Sequence, residues 1–250
     1  RDIHSELHKD GTMAQDAIAR TRLETDSLGS LEIPADAYWG IHTARAAANF
    51  PISLRPISIY PELVVALAMV KQASARANRD IGVLDAAKAE LIDRAAQRVI
   101  DGEFHEQFKV DVIQGGAGTS TNMNANEVIT NIALEAAGRE KGDYAFLSPI
   151  DDTNRSQSTN DVYPTAIKVG IMLAMRSLLD ELARLRQSFL AKSLEFHDVL
   201  KVGRTQMQDA VPMTLGQEFH GFATSLAQDY KRLGDGDVGP VVGGGADVGR

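Results

Sequence analysis

Apolar residues recur along most of the chain at the three-and-four spacing of α-helices, and this pattern predicts a mainly helical protein. The first stripe occupies positions 63, 67, 70, 74, 77 and 81, after Pro61, a residue suited to a first helical turn. Only the stretch before residue 60 looks extended, where Leu31 and Ile33 alternate with polar residues. Shorter helices are predicted from the capping residue Asp85 to about Ile100, from about Asn122 to Ala137 before Gly138, and from about Thr214 to Leu233.

One predicted helix is much longer than the others and spans about Asp161 to Glu195. No proline occurs between Val169 and Leu200. A helix of that length measures roughly 50 Å, which exceeds the width of a small domain. The sequence therefore predicts a long helix bundle whose core is completed by helices of other subunits. The apolar stripe that carries this prediction is Ile171, Met175, Leu178, Leu182, Leu185 and Phe189.

Three segments between the predicted helices are rich in small polar residues: Gln114–Asn126, Asn154–Thr165 and Gly203–Gln217. Glycines followed by hydroxyl and amide groups at a helix start can form an anion site, although a loop with capping residues explains the first segment equally well. The second segment holds more hydroxyl and amide residues than a single helix cap needs, and this favours a functional role over capping alone. The third, taken alone, is interpreted as a hydrogen-bonded turn that starts the next helix. Together the segments suit recognition of carboxylates.

Composition and charge exclude several other kinds of site. The net charge of −8 argues against a nucleic-acid surface, and the absence of cysteine excludes disulfides, thiolate catalysis and Cys-ligated zinc. The six histidines show no metal-ligand spacing, and His42, which follows Trp39 and Gly40, is interpreted as structural in preference to a site residue. No run approaches the roughly 20 apolar residues that span a bilayer, so no membrane partner is expected.

Four long stretches occur in a fixed order: PADAYWGIHTARAAANFPIS, GGAGTSTNMNANEVITN, SQSTNDVYPTA and GRTQMQDAVPMTLGQEF. They resemble the opening domain and signature regions of the fumarase/aspartase superfamily, and the resemblance runs from about Arg20 to Leu233. Three details favour the aspartase branch over class II fumarases. The chain reads Ala117-Gly118-Thr119 where fumarases usually have SGT, STND at Ser158–Asp161 where they have SSND, and Gln206 where they have His.

The resemblance implies a mainly all-α fold, with a small N-terminal helical domain followed by the first helices of a long bundle. It also implies anti elimination of ammonia from L-aspartate, giving fumarate through an aci-carboxylate intermediate. Thr119, Ser158 and Thr159 are expected to bind the substrate carboxylates, and Asn160 to hold the amino group. Thr205 and Gln206 are expected to reach a carboxylate from a different subunit.

The expected partners are a dicarboxylate substrate and three further copies in a cytoplasmic homotetramer, with neither nucleic acid nor membrane. No cofactor is expected to be required. Some members of the family are activated by a divalent metal, and this sequence locates no site for one.

The resemblance also divides the chain. The predicted parts are a polar extension (1–19), an N-terminal lyase domain (20–150), the start of the bundle (151–233) and a Gly-rich, aberrant or disordered tail (234–250). The family's third signature, GSSxMPxKxN, which carries the base serine, is not found in the sequence. No catalytic base is therefore assigned, and we expect these 250 residues to be inactive alone. Two alternatives remain: a class II fumarase-type hydratase, and a non-catalytic structural or interaction relative of the lyase fold.

Overall fold

The computed structural model describes residues 20–114 and 117–234, and within them the chain forms six α-helices and two β-hairpins. The elements are β1 (Thr21–Asp26), β2 (Gly29–Pro34), α1 (Ile41–Asn49), α2 (Pro61–Asp80), α3 (Ala86–Ile100), α4 (Thr119–Ala136), α5 (Thr159–Glu195), β3 (Leu200–Thr205), β4 (Gln208–Thr214) and α6 (Leu215–Gly234). The mainly helical fold is confirmed. The predictions for residues 1–19, for the tail beyond Gly234 and for Gly115 and Gly116 lie outside the described residues.

Helices α2, α3 and α4 pack together and enclose the hydrophobic core. Helix α3 has the predicted N-cap, because the side chain of Asp85 accepts hydrogen bonds from the amides of Ala87 and Lys88 at 2.9 and 3.1 Å. Apolar side chains from all three helices are fully buried, and burial of this kind is the main favourable contribution to folding. They include Val64, Leu67, Ile92, Val99, Ile129, Ile132 and Leu134.

The predicted apolar stripe of α2 is correct at its start and wrong at its end. Leu67 is fully buried, but Ile81 lies beyond the helix and is 71% exposed. The face that packs inward instead continues through Lys71 and Asn78, which are polar. Apolar periodicity does not reveal a face whose buried positions are polar, and the predicted stripe therefore ends on exposed residues.

Helix α4 begins at Thr119, three residues before the predicted start. The residue before it, Gly118, has a left-handed backbone with φ of 79°, which glycine adopts without strain, and this turn lets the helix begin there. The helix ends at Ala136, and Gly138, with φ of 71°, closes it as predicted. Almost every residue from Thr121 to Leu134 is buried, so α4 is the central helix of this part of the chain.

Helix α5 is 37 residues long, or about 55 Å, and begins two residues before the predicted start. Only its first half packs on α2, where it buries Val162, Ala166 and Gly170. Along the rest of its length the predicted stripe is still partly open, with Leu178 48% exposed. An 18-residue window of α5 has a mean hydropathy of 1.3, so by length and composition it would also suit a membrane-crossing helix, a feature that the sequence inspection missed.

The segment Gly203–Gln217 is not a turn before a helix, as predicted, but most of a β-hairpin. Strands β3 and β4 pair in antiparallel register from Leu200 opposite Thr214 to Thr205 opposite Gln208. The two residues at the tip, Gln206 and Met207, both have positive φ. Hairpin tips of this type usually contain Asn or Gly, and the absence of that signal explains the error. Helix α6 then follows within one residue of its predicted bounds and packs against the end of α5.

Candidate functional site

The starts of α4 and α5 lie against each other. A Cβ atom on Gly118, the residue before α4, would overlap the ring of Tyr163 in the first turns of α5. Glycine is therefore required at this position for two reasons, the positive φ and the close approach of the Tyr163 ring. The contact brings Thr119, at the start of α4, next to the start of α5. Two of the three predicted polar segments thus meet.

The predicted residues at these two helix starts are open to solvent. Thr119, Ser158 and Asn160 are exposed and Thr159 is half-buried. Ser158 is the N-cap of α5, and its hydroxyl group accepts a hydrogen bond from the amide of Asn160 at 3.3 Å. The amides of Asn160 and Asp161 both donate to Ser158. Within the described residues the amides of Thr119 and Thr159 have no acceptor, so the capping role and the binding role weighed from the sequence are compatible. Those amides, together with the helix dipoles, favour a bound anion.

Directly behind the helix starts lies a buried lysine that the sequence analysis did not single out. The Nζ atom of Lys71 donates to Asn122 Oδ1 at 2.6 Å, Gln157 Oε1 at 2.8 Å and Asn154 Oδ1 at 3.0 Å. Burial lowers the pKa of Lys71 to about 7. The signal that could have identified it is a lysine within the inward face of a helix, at the position where the apolar pattern breaks.

Asparagine side chains connect this lysine to the candidate site. The Nδ2 group of Asn122 donates to Asn154 Oδ1 at 3.0 Å and lies 3.5 Å from the hydroxyl oxygen of Thr159. Asn126 also donates to Asn154 Oδ1, at 3.2 Å. We call Lys71, Asn122, Asn126, Asn154 and Gln157 the amide cluster. It joins α2, α4 and the segment before α5, and it forms the back wall of the site.

Thr205 and Gln206 do not join the other predicted residues within one chain. They occupy the tip of the β3–β4 hairpin, which follows the far end of α5, and α5 is about 55 Å long. Both side chains are exposed, and the neighbouring Met207 is 98% exposed. The hairpin tip is therefore free to reach another molecule.

A cleft of about 680 Å³ lies beside the start of α4 and is lined by His42, Arg45 and Ser120, among others. The guanidinium group of Arg45 forms two hydrogen bonds with Asp26, at 2.8 and 3.0 Å, and is already neutralised. The cleft is thus less suited to an anion than the two helix starts. Among residues 20–114 and 117–234, no group of three or more His, Asp or Glu side chains is placed to hold a metal ion.

Comparison with known proteins finds extensive similarity. A family model described as lyase matches residues 29–250. The aspartate ammonia-lyase of Pseudomonas aeruginosa is 62% identical over 216 residues, which are 86% of this chain and 46% of that protein. The aspartate ammonia-lyase of Escherichia coli K12 is 49% identical over 213 residues, which are 85% of this chain and 45% of that protein. The chain therefore spans about half the length of the curated relatives it matches.

Solved structures share the fold. A fumarate lyase:delta crystallin from Brucella melitensis in native form matches with a TM-score of 0.82 and 54% identity, over 86% of this chain and 50% of that chain. A class II fumarase from Schistosoma mansoni matches with a TM-score of 0.75 and 35% identity, over 86% of this chain and 45% of that chain.

Proposed function

The chain belongs to the lyase family whose model matches residues 29–250, and on that premise we propose that it is part of an aspartate ammonia-lyase. Such an enzyme removes ammonia from L-aspartate and leaves fumarate. The observation that carries the proposal is the contact between the starts of α4 and α5. It places Thr119 and the Ser158–Asn160 segment side by side, with hydroxyl groups, an amide side chain and free backbone N–H groups at one solvent-exposed place.

These groups suit both the substrate and its elimination. Aspartate carries two carboxylates, and each oxygen accepts hydrogen bonds of the kind that Thr119, Ser158 and Thr159 can donate. Removal of the C3 proton places a second negative charge on the neighbouring carboxylate. Donors already aimed at that carboxylate bind the doubly charged state more strongly than the substrate, and this lowers the barrier. Asn160 is proposed to accept a hydrogen bond from the amino group.

The proposed enzyme is a cytoplasmic homotetramer in which Thr205 and Gln206 complete the site of a neighbouring subunit. Two features support this arrangement. The hairpin tip is exposed and lies far from α4 within its own chain. Large apolar side chains remain exposed on α5 and α6, including Leu178, Leu185 and Phe222, and a bundle with other copies would cover them.

The activity is tested in a chimera that joins residues 20–233 of this chain to the remaining part of the Pseudomonas aeruginosa relative. We expect the purified chimera to form fumarate from L-aspartate, followed by the ultraviolet absorbance of fumarate. Thr159→Ala should lower kcat/KM by about 100-fold, the loss typical of one donor to a developing oxyanion. Thr165→Ala, at an exposed threonine further along α5, is the matched control and should change kcat/KM less than about threefold. An assembled chimera without this activity would contradict the proposal.

Sharing of sites between subunits has a separate test. Chimeras with Thr159→Ala and with Thr205→Ala should each be nearly inactive. When the two are unfolded together and reassembled, random mixing should give about a quarter of sites with both threonines intact, and activity should return in proportion. If Thr205 served the site of its own chain, mixing would restore nothing.

The fumarase alternative has one observation in its favour, the likeness to a class II fumarase structure at 35% identity. The same chimera separates the two activities, because a fumarase would form fumarate from L-malate and an aspartate ammonia-lyase would not. The non-catalytic alternative predicts no fumarate from either substrate, even in an assembled chimera. The 250-residue chain by itself is expected to show no turnover, since its sequence lacks the motif with the base serine.

A further inference from the structure

Lys71 is a charged residue in the interior of the protein. Its side chain is completely inaccessible to solvent, and in the described part of the chain its ammonium group faces amide oxygens instead of carboxylates. Burial of an ammonium group costs free energy, and the cost is largest where its N–H groups lack acceptors. An ammonium group has three donors, and the three oxygens of Asn122, Asn154 and Gln157 accept one each.

The ammonium group decides which way the surrounding amides point. Because it can only donate, Asn122 must turn its oxygen toward Lys71, and its Nδ2 group must then turn toward Asn154 and Thr159. Asn154 turns its oxygen inward for the same reason, and its Nδ2 group donates to the backbone oxygen of Gln157 at 3.1 Å. The chemistry of one side chain on α2 thus fixes two amide orientations at the helix starts.

The cluster also joins parts of the chain that lie far apart in the sequence. Asn122 lies in the first turn of α4, while Asn154 and Gln157 lie in the segment that leads into α5. Lys71 is bonded to all three, although 51 to 86 positions separate it from them. Its ammonium group donates to Asn122 in α4 and to Asn154 and Gln157, which lie at the two ends of the short segment before Ser158.

We propose that Lys71 is a positioning residue of the binding site: through Asn122 and Asn154 it holds the starts of α4 and α5 so that Thr119 and Thr159 face the same ligand. Lys71 does not touch the ligand in this proposal. The geometric part concerns the chain itself, and the part that concerns substrate rests on the proposed function.

The geometric part is tested in the full 250-residue chain by hydrogen exchange at about pH 6, below the pKa of Lys71, where the side chain carries its ammonium group. The reporter amides are those of Asn122 and Val162, which donate to the backbone oxygens of Gly118 and Ser158 at 3.0 Å. Lys71→Met removes the ammonium group, and we expect these two amides to exchange about tenfold faster, as befits one lost charge-assisted hydrogen bond.

The matched control is Gln72→Met, the neighbouring residue on the same helix. Gln72 is also buried and hydrogen-bonded, but it faces α3, through Asp93 and Gln97. If Lys71 only stabilises α2, both substitutions should affect the two reporter amides equally, and that result would overturn the proposal. Should Lys71→Met fail to fold, Lys71→Gln keeps two donors in place and is expected to give a smaller increase confined to the same amides.

The absence of cysteine allows a rescue experiment. Lys71→Cys creates a unique thiol, which is alkylated with 2-bromoethylamine in the unfolded chain before refolding. The product restores an ammonium group at nearly the original distance from the backbone. We expect it to return the exchange of both reporter amides to within about twofold of the unchanged chain, and the unalkylated variant to remain fast. Equal rates with and without the ammonium group would refute the positioning role.

The substrate part is read in the chimera described above. Lys71→Met should raise KM for L-aspartate about tenfold, because misplaced donors bind the ground state less well, whereas Gln72→Met should leave KM within about twofold. If KM for L-aspartate stays unchanged in both variants, this part of the inference is overturned. If the unchanged chimera forms no fumarate, the proposed function fails, and the exchange measurements still decide whether Lys71 positions the helix starts.

Discussion

The hydroxyl group of Thr43 donates a 2.6 Å hydrogen bond to the carboxylate of Glu127, although 84 positions separate the two residues in the chain. The same carboxylate accepts from the backbone amides of Gly40, His42 and Thr43 at 2.8 to 3.1 Å. These amides begin α1, whose N-cap residue, Gly40, has no side chain to cap the helix. A glutamate from α4 thus performs the capping that the local sequence cannot.

Replacement of Glu127 by glutamine should destabilise the chain. Burial raises the pKa of this carboxyl group, but its two oxygens accept four bonds, and in glutamine one of them becomes an NH₂ group that cannot accept. Glu127→Gln is expected to lower the free energy of unfolding by about 2 kcal/mol. The measurement is urea denaturation followed by circular dichroism. The control is Glu135→Gln, because Glu135 is a more exposed glutamate of the same helix. This substitution should change the free energy of unfolding by less than about 0.5 kcal/mol.

The contact between the starts of α4 and α5 predicts a strong effect of Gly118→Ala. The added methyl group would overlap the ring of Tyr163 and would also occupy a left-handed backbone. We expect a loss of about 3 kcal/mol in unfolding free energy, from backbone strain and overpacking together. Gly138→Ala is the control, because this glycine also has positive φ but open space around it, and its loss should be about 1 kcal/mol. Equal losses would show that the close contact is not formed.

The packing of α6 on the end of α5 predicts opposite effects for two glycines of one helix. Gly216 is buried, and a methyl group there would overlap the backbone of Ser193 and His197. Gly216→Ala should therefore destabilise the chain by about 2 kcal/mol. Gly221 has open space around it, so Gly221→Ala should stabilise by about 0.5 kcal/mol through its better helix propensity. Thermal unfolding of the two variants compares them, and destabilisation by both would contradict this packing.

The buried ammonium group predicts a pH dependence of stability. Burial lowers the pKa of Lys71 to about 7, from an ordinary value of 10.5. Between these two values the unfolded chain binds a proton that the folded chain has released, so stability rises with pH in this window. Relative to Lys71→Met, the unchanged chain should gain at most about 3 kcal/mol between pH 7 and about pH 9. Parallel curves for the two proteins would show that Lys71 keeps its ordinary pKa.

The sequence by itself determined where most helices lie and what chemistry the site offers. Asp85, Gly138 and the stripe of α5 act through bonds and spacings of a few residues, and such local signals survive in any fold. The polar residues before α5 could be identified for the same reason, since they stand where a helix start leaves amides unpaired. The resemblance to a known family then predicted a dicarboxylate as the ligand of these residues.

Only the tertiary structure decided which faces pack inward and which distant residues meet. The buried face of α2 includes Lys71 because Asn122 and Asn154 surround it, and no pattern within α2 contains that information. The β3–β4 hairpin has a tip of Gln206 and Met207 with no usual turn residue, so pairing between strands, and not the tip, must hold it. Contacts between residues 50 to 90 positions apart depend on how whole helices pack, and this is why the amide cluster and the capping of α1 by Glu127 could not be inferred from the chain alone.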